Sequence, residues 1–300
     1  MGGSAGALDV LKQIAARLPA DLPATILVTT HVGGGISGRS YMPDIIASAG
    51  PLPARHPQDG EKIGRSVIYV APPDHHMTVE GRNLRITRGP KENMSRPAIN
   101  PLFRSVAETF GAGAAGLVLT GMLDDGAAGL AEIKRRGGYT VVQDPKTAAY
   151  PSMPQAALSS FAVDKIATIE EMPEIIKTLA EQGAPSRILE DKMQERQITI
   201  TCPECRGPLT ERQQGMVVEY ECRVGHRYSP LSLKQDHNAT IERTIWSLIV
   251  AVEEAAEMAE SLSNGEPDSP FLREAIRRRA QAETLRAMVL EDQKNAIVFP

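Results

Sequence analysis

The feature that most constrains this chain is an alternation of β-type runs with helix-period stretches between Leu8 and about Asp164. The runs ATILVTT (24–30), SVIYVAP (66–72), AGLVLTG (115–121) and YTVVQD (139–144) are nearly continuous in apolar residues. Strands of that texture are buried on both faces, and helices between them supply the cover. The pattern predicts a doubly wound α/β fold on a mainly parallel sheet. HMTVE (76–80) and NLRITRG (83–89) flank a Gly-Arg pair, which predicts a small hairpin and makes the sheet mixed. Past Ile166 the texture changes. EEMPEIIKTLAEQ is helical, GAPS breaks it, and SRILEDKMQERQ reads as a charged helix or linker. The expected organisation is an α/β catalytic domain over 1–166, a helical linker over 167–198, a cysteine module over 199–232 and a helical hairpin over 233–300. SNGEPDSP is the turn of that hairpin. Ile241, Ile245, Leu248 and Val252 lie on one helical stripe, expected to be its core.

Composition narrows the classes of function. With 42% hydrophobic and 23% charged residues the chain has the make-up of a globular protein. A formal net charge of -4 gives no general basic field for nucleic acid or anionic lipid. There is no run of about 18 apolar residues to cross a bilayer. The opening MGGSAGALDV lacks the features of a signal peptide, so the expected compartment is the cytoplasm. The three cysteines lie between 202 and 222. An odd, clustered set is a poor disulfide framework and a better metal site.

Three segments carry candidate chemistry. In GGSAGALDVL, Ser4 stands among small residues just before a helical pattern. Glycines let a substrate carbonyl approach the backbone, and a helix N-terminus offers amides to an oxyanion. A tight turn or a helix cap explains the same residues. His31 ends the strand ATILVTT, at the carboxyl edge where open α/β sheets bind ligands, and an imidazole is the usual base for a serine hydroxyl. A lone histidine there also reads as structural. LVLTGMLDDGAAGL is a third strand ending in an acidic pair. A buried carboxylate there would fix an imidazole tautomer, while Asp124 and Asp125 serve equally as helix caps or metal ligands.

Taken together, in the order Ser4, His31, TGMLDDG, these segments resemble the catalytic domain of the chemotaxis protein-glutamate methylesterases. APPDHHM (71–77), SRPAINPLF (95–103) and MPQAA (153–157) add to the resemblance, which spans about residues 1–166. It implies Ser4 as nucleophile, His31 as base and Asp125 as orienting acid, since Asp125 directly precedes the glycine of the D-G-A element. It implies the Met122 amide in an oxyanion hole, with the Met122 side chain in the core. His76 and Arg96 are implied in a substrate groove, where a purely structural hydrogen bond is the competing reading. The implied activity is hydrolysis of glutamate methyl esters on chemoreceptor-type signalling proteins, with glutamine deamidation as a second reaction and no cofactor for catalysis.

The sequence departs from the family in places. Only Met1, Gly2 and Gly3 precede Ser4, where the family carries an apolar strand that holds the nucleophile elbow. The expectation is a truncated start and an impaired site. Ala7 replaces the second glycine of the serine turn, Thr30 and Val32 flank the histidine, and Leu123 stands for a glycine in TGMG. If that glycine has positive φ, Leu123 costs about 1 kcal/mol or more. No receiver domain stands ahead of the catalytic segment, so phosphorylation control is not expected.

Cys202-Pro-Glu-Cys205 and Cys222-Arg-Val-Gly-His226 are two ligand pairs at the spacing of a zinc ribbon. Three thiolates and an imidazole fill a tetrahedron, so the expected zinc is structural. Arg206, Arg223 and Arg227 are offset by Glu204, Glu219 and Glu221, which favours a protein over a nucleic acid as partner. The C-terminal helices are a candidate surface for a signalling partner. Two rival readings are a non-catalytic signalling scaffold and a nucleic-acid-binding zinc protein.

Overall fold

The computed structural model describes residues 1–31, 40–183, 192–264 and 266–295, with side chains up to 291. The chain divides into two compact units, Met1 to Leu233 and Lys234 onward.

The first unit begins β1 (Gly2–Gly3), α1 (Ala7–Ala15), β2 (Thr25–Thr30), α2 (Met42–Ala49), β3 (Ala54–Arg55) and β4 (Val67–Val70). A hairpin of β5 (His76–Glu80) and β6 (Asn83–Thr87) follows. Next come α3 (Ile99–Phe110), β7 (Ala115–Val118), α4 (Ala127–Arg135), β8 (Tyr139–Gln143), α5 (Ser152–Ser160), β9 (Lys165–Ala167) and α6 (Met172–Gln182). Seven strands form one sheet in the order β3-β4-β2-β1-β7-β8-β9, and its pairings are parallel. The hairpin stands apart as a two-stranded antiparallel sheet. The main sheet is therefore not mixed as expected.

The sheet is covered on both faces. Val10, Leu11 and Ile14 of α1, Ile46 of α2 and Ile176 of α6 pack with Ile26 and Val28 of β2. A second core joins Ile99, Leu102 and Phe103 of α3, Leu130 and Ile133 of α4 and Met153 of α5 with the hairpin residues Met77 and Leu84. This double cover is why all four residues of β4 are buried. Between β1 and α3 the approach is very close. A Cβ on Gly2 would lie 2.3 Å from a methyl of Ile99, so only glycine fits there.

Two residues of β1 pair as Gly2↔Thr29, Gly3↔Thr30 and Gly2↔Val118. Toward the amino ends of β2 and β7 no β1 partner continues among the described residues. A cavity of about 510 Å³ lies there, lined by Met1, Ile26, Leu27, Ala115, Leu117 and Ile176 among others. The Met1 amino group is buried and donates to the Leu27 carbonyl at 2.6 Å. Burial pushes its pKa down from 8.0 to about 5.

The linker expected over 167–198 is helix only through α6; residues 184–191 lie outside the described residues. From Met193 the chain is strand: β10 (Met193–Thr201), β11 (Pro208–Gln214), β12 (Val217–Cys222) and β13 (Arg227–Tyr228) make an antiparallel sheet in that order. The charges that suggested helix in MQERQ lie on an exposed edge strand, where Arg196 and Glu211 pair across strands and charge is the usual edge protection. Helix α7 (Pro230–Leu262) begins at the end of this unit.

In the second unit α7 continues and α8 (Pro270–Asn295) follows. Arg279–Glu260 and Arg286–Glu253 pair the two helices. The expected core stripe is displaced. Ile241 and Leu248 are exposed, whereas Ile249, Ala256 and Ala259 are buried, as are Ala275, Ala282 and Val289 of α8. The seven-residue spacing of Ile249 and Ala256, and of Ala275, Ala282 and Val289, makes a narrow heptad-type seam rich in alanine. Ile241 and Leu248 stay outside it. No described helix is long and apolar enough to cross a membrane.

Candidate active site and metal centre

Register places Ser4 and His31 at the same edge of the sheet. Gly3 pairs with Thr30 in adjacent parallel strands, so the next residue of each chain leaves the sheet at the same carboxyl edge. The Ser4 amide donates to the Thr120 carbonyl at 3.0 Å, and the Ala7 amide returns to the Ser4 carbonyl at 3.0 Å. That turn needs Gly6 at φ 75 before α1 can start. Ser4 and His31 are both half-buried.

The acid lies on the far side of His31. Its Nε2 donates to Asp125 Oδ2 at 2.7 Å, and the Asp125 side chain is 1% exposed. The first amides of α3 point at the same carboxylate: Ile99 N at 2.6 Å and Asn100 N at 3.2 Å. Gly126 N at 2.9 Å and Asn93 Nδ2 at 2.9 Å complete five donors. Burial opposes the charge, but the hydrogen bonds from His31, Ile99 and Asn93 outweigh it and hold Asp125 below the usual carboxylate range. A carboxylate on Nε2 puts the proton of neutral His31 there, leaving the lone pair on Nδ1.

Of the groove residues, Met122 corrects an expectation: its side chain is 47% exposed rather than in the core. The strand ends before it, and the loop turns the side chain outward. The Gly121 amide is spent on the Tyr150 carbonyl at 3.0 Å; the Met122 amide has no acceptor among the described residues. Leu123 adopts φ 63, the left-handed conformation that a glycine would hold without strain. His76 is buried, with Nε2 donating to the Pro90 carbonyl at 2.9 Å and Nδ1 accepting from Ala98 N at 3.3 Å. Burial lowers its pKa and keeps it neutral. Arg96 donates to Asp74 at 2.6 Å and to the Gly89 carbonyl at 2.7 Å. Both residues brace the loops around Pro90.

Residues 1–176 match the family model described as CheB methylesterase. This chain belongs to the CheB methylesterase family. A protein-glutamate methylesterase/protein-glutamine glutaminase of Anaeromyxobacter dehalogenans is 41% identical over 168 residues, 55% of this chain and 48% of that protein. A protein of the same name from Pyrococcus abyssi is 34% identical over 180 residues, 59% of this chain and 48% of that one. The chain thus spans about half the length of either relative. Among solved structures, the CheB methylesterase catalytic domain of Thermotoga maritima matches with TM-score 0.56 and 26% identity, over 59% of this chain and 95% of that one.

Several polar residues that support this CheB-type site are not evident in the sequence. Asn100 Oδ1 accepts from Gly126 N at 3.0 Å and Gly129 N at 2.8 Å, capping α4. Asp124 does not face His31. It accepts from Leu231 N at 2.9 Å and Ser232 Oγ at 2.7 Å, at the first turn of α7. Burial, with Asp125 adding to it, pushes Asp124 above the usual range against those hydrogen bonds. Arg104 of α3 pairs with Glu92 and with Glu219 of β12. Burial opposes its charge, but the two carboxylates raise its pKa above the ordinary value. The one signal for Asn93 is its place in a short polar turn, because Asn tolerates positive φ better than most residues.

Beyond the family match, Cys202, Cys205, Cys222 and His226 have all their ligand atoms within 4.8 Å of one another. Cys205 and Cys222 sulfurs are 3.6 Å apart, and His226 Nδ1 is 3.5 Å from Cys222 and 3.7 Å from Cys202. A tetrahedron with metal–sulfur bonds of about 2.3 Å and a metal–nitrogen bond of about 2.0 Å has edges of roughly 3.5 to 3.8 Å. The donor set fits. Each pair sits in a knuckle closed by backbone bonds, Arg206 N to Cys202 O at 2.8 Å and Gly225 N to Cys222 O at 2.9 Å, with Arg206 at φ 61 and Gly225 at φ 98.

Proposed function

We propose that the chain hydrolyses methyl esters of glutamate side chains on chemoreceptor-type signalling proteins, and the corresponding glutamine amides, through Ser4, His31 and Asp125. The 2.7 Å bond between His31 and the buried Asp125, in register with Ser4, carries this reading. His31 Nδ1 takes the proton as Ser4 Oγ attacks the ester carbonyl, and Asp125 stabilises the imidazolium. The imidazolium returns the proton to the departing methoxide, giving methanol. Water deprotonated by the same nitrogen then cleaves the acyl-enzyme and restores Ser4. For an amide, ammonia leaves in place of methanol. The Met122 amide, unspent on any described acceptor, is assigned to the oxyanion.

His76 and Arg96 act in this reading by shaping the loop beside the site. Zinc is the metal proposed for the Cys202, Cys205, Cys222 and His226 centre. Four protein ligands leave no open position for substrate, so its role is structural. Ile241, Leu248 and neighbouring apolar side chains exposed on α7 support the docking of a signalling partner on the helical hairpin.

Methanol release from a methylated chemoreceptor tests the reaction. The chain should release methanol, and Ser4→Ala should reduce release to background. Equal release by the Ser4→Ala protein would assign the chemistry elsewhere.

A further inference from the structure

We propose that Asn93 is a positioning residue that transmits occupancy of the Cys202/Cys205/Cys222/His226 centre to the His31–Asp125 pair. The hydrolase is then fully competent only with metal bound. This rests on the esterase and metal readings above.

The link is short and continuous. His226 is followed by β13, and β13 lies between two partners. On one side it pairs with β12. On the other, Asn93 N donates to the Arg227 carbonyl at 2.8 Å and Arg227 N to the Lys91 carbonyl at 3.4 Å. The segment 91–93 of the catalytic fold thus extends the sheet of the metal module. Immediately after β13, Ser229 gives both its amide, at 2.7 Å, and its hydroxyl, at 3.0 Å, to Asn93 Oδ1. The other end of that amide, Nδ2, is one of the five donors to Asp125. From the ligand His226 the path to His31 runs through the two residues of β13, then Ser229, Asn93 and Asp125.

Asn93 is buried and sits in a strained turn. It has φ 50 and Met94 has φ 62, in a loop closed by Glu92 N to Ser95 O at 3.2 Å and Ser95 N to Glu92 O at 2.9 Å. Methionine adopts such backbone only under constraint. The constraint comes from both sides, Arg227 and Ser229 of the module and Asp125 of the site. The module is also tied down by Arg104 to Glu219 at 3.0 Å and Lys91 to Glu204 at 2.8 Å.

Three sulfurs and a ring nitrogen packed at these distances have little reason to stay together without a cation, and knuckles this small fold on their metal. Releasing the Cys222–His226 knuckle frees β13 and withdraws the two donors of Ser229. Asn93 Oδ1 is then buried without a partner, and a buried polar group in that state finds another arrangement. As the amide turns, Asp125 loses Nδ2 and the imidazole loses its fixed orientation.

The test uses the full chain and a fluorophosphonate. Ser4 Oγ displaces fluoride from phosphorus while His31 takes the proton, so the labelling rate reports nucleophile activation without a natural substrate. Bound zinc is counted separately, and circular dichroism follows folding. The expected result is one zinc per chain and labelling about tenfold slower after chelation, restored by added zinc ion. Asn93→Ala should bind zinc, label as slowly as the chelated parent and respond no further to chelator. In methanol release, kcat should fall with KM retained. If Asn93→Ala does not fold, Ser229→Ala removes one of the two donors and should label two- to threefold slower; full-rate labelling overturns the relay. Chelator sensitivity persisting in a folded Asn93→Ala, or a chelated parent labelling at full rate, also overturns it and leaves the metal reading intact. A chain that binds no zinc overturns both. A zinc-loaded parent whose Ser4 does not label overturns the esterase reading together with the relay.

Discussion

The two ends of the central sheet are built on opposite terms. At the carboxyl edge, around Ser4, His31 and Asp125, a single carboxylate receives five hydrogen bonds. At the amino edge, two residues away along β1, the sheet opens onto a cavity of about 510 Å³ and a buried amine. Chemistry requires preorganised dipoles, and the helix starts at Ile99 and Ala127 supply them. Ser4 is gripped from the carboxyl edge by the Thr120 carbonyl, the turn at Gly6 and the start of α1.

The largest break in this contrast is Asp125→Asn. It keeps the shape but sets an amide against Nε2 of His31, so the imidazole loses the partner that fixes its tautomer and stabilises its charge. Turnover of methyl ester should fall by about 10⁴. Asp125→Ala should in addition strand the amides of Ile99, Asn100 and Gly126, at about 1 kcal/mol or more each. Kinetics with urea unfolding separate the two losses. A turnover drop of less than tenfold in Asp125→Asn would remove Asp125 from the reaction.

In a polypeptide that starts at Met1, the amino edge is expected to answer to pH. The Met1 amine has a folded pKa of about 5 against 8.0 for the free group. The unfolded chain therefore binds this proton first as pH falls, and stability that is full above pH 8 drains away between pH 8 and 5. The loss approaches about 4 kcal/mol, at roughly 1.4 kcal/mol per pKa unit. Placing Val-Ile-Val-Val ahead of Met1 turns the amine into an amide and fills the cavity with strand. Urea midpoints of the two proteins should diverge as pH falls from 8 to 5.5. Parallel curves would mean that the amine is hydrated, and the slot with it.

Most of the sheet is legible in the sequence because buried parallel strands write themselves as apolar runs. His31 and Asp125 are legible for a related reason: each follows such a run, at the edge where parallel strands end, whereas Ser4 follows only Met1, Gly2 and Gly3 and is legible from its small neighbours and the helical pattern after it. The polar second ring is not. Asn93, Asn100 and Asp124 act through partners 26 to 136 residues away, and no local pattern encodes such a pairing. The strand at Met193–Thr201 is hidden because an exposed edge strand and a charged helix share a composition. The tail core is misread because Ala256, Ala259, Ala275 and Ala282 carry most of the seam, and alanine marks a buried helix face only weakly in a sequence.

Asp124→Asn sharpens the contrast more modestly, from inside the polar edge. Asp124 is raised above the ordinary carboxylate range, so its contribution is favourable at low pH and is lost as pH rises through its folded pKa. Asparagine has no such loss. The stability difference should move in favour of the variant as pH rises through the folded pKa of Asp124. A difference that does not change with pH would mean that the contacts with Leu231 and Ser232 keep Asp124 ionised at no cost.

The smallest effect lies in the loop between Val118 and α4. Leu123 is held at φ 63, where a side chain crowds its own carbonyl. Leu123→Gly removes that strain, worth about 1 to 2 kcal/mol, and gives up part of it to the greater freedom of glycine in the unfolded chain, up to about 1 kcal/mol. Leu123 is only half-buried, so little apolar contact is lost. The net expectation is a gain of about 0.5 kcal/mol, read as a rise of a degree or two in Tm. Because Met122 precedes this position, relaxing it tests the oxyanion assignment as well. If the strained turn aims the Met122 amide, kcat should change while KM holds; a change in stability alone would separate the turn from the reaction.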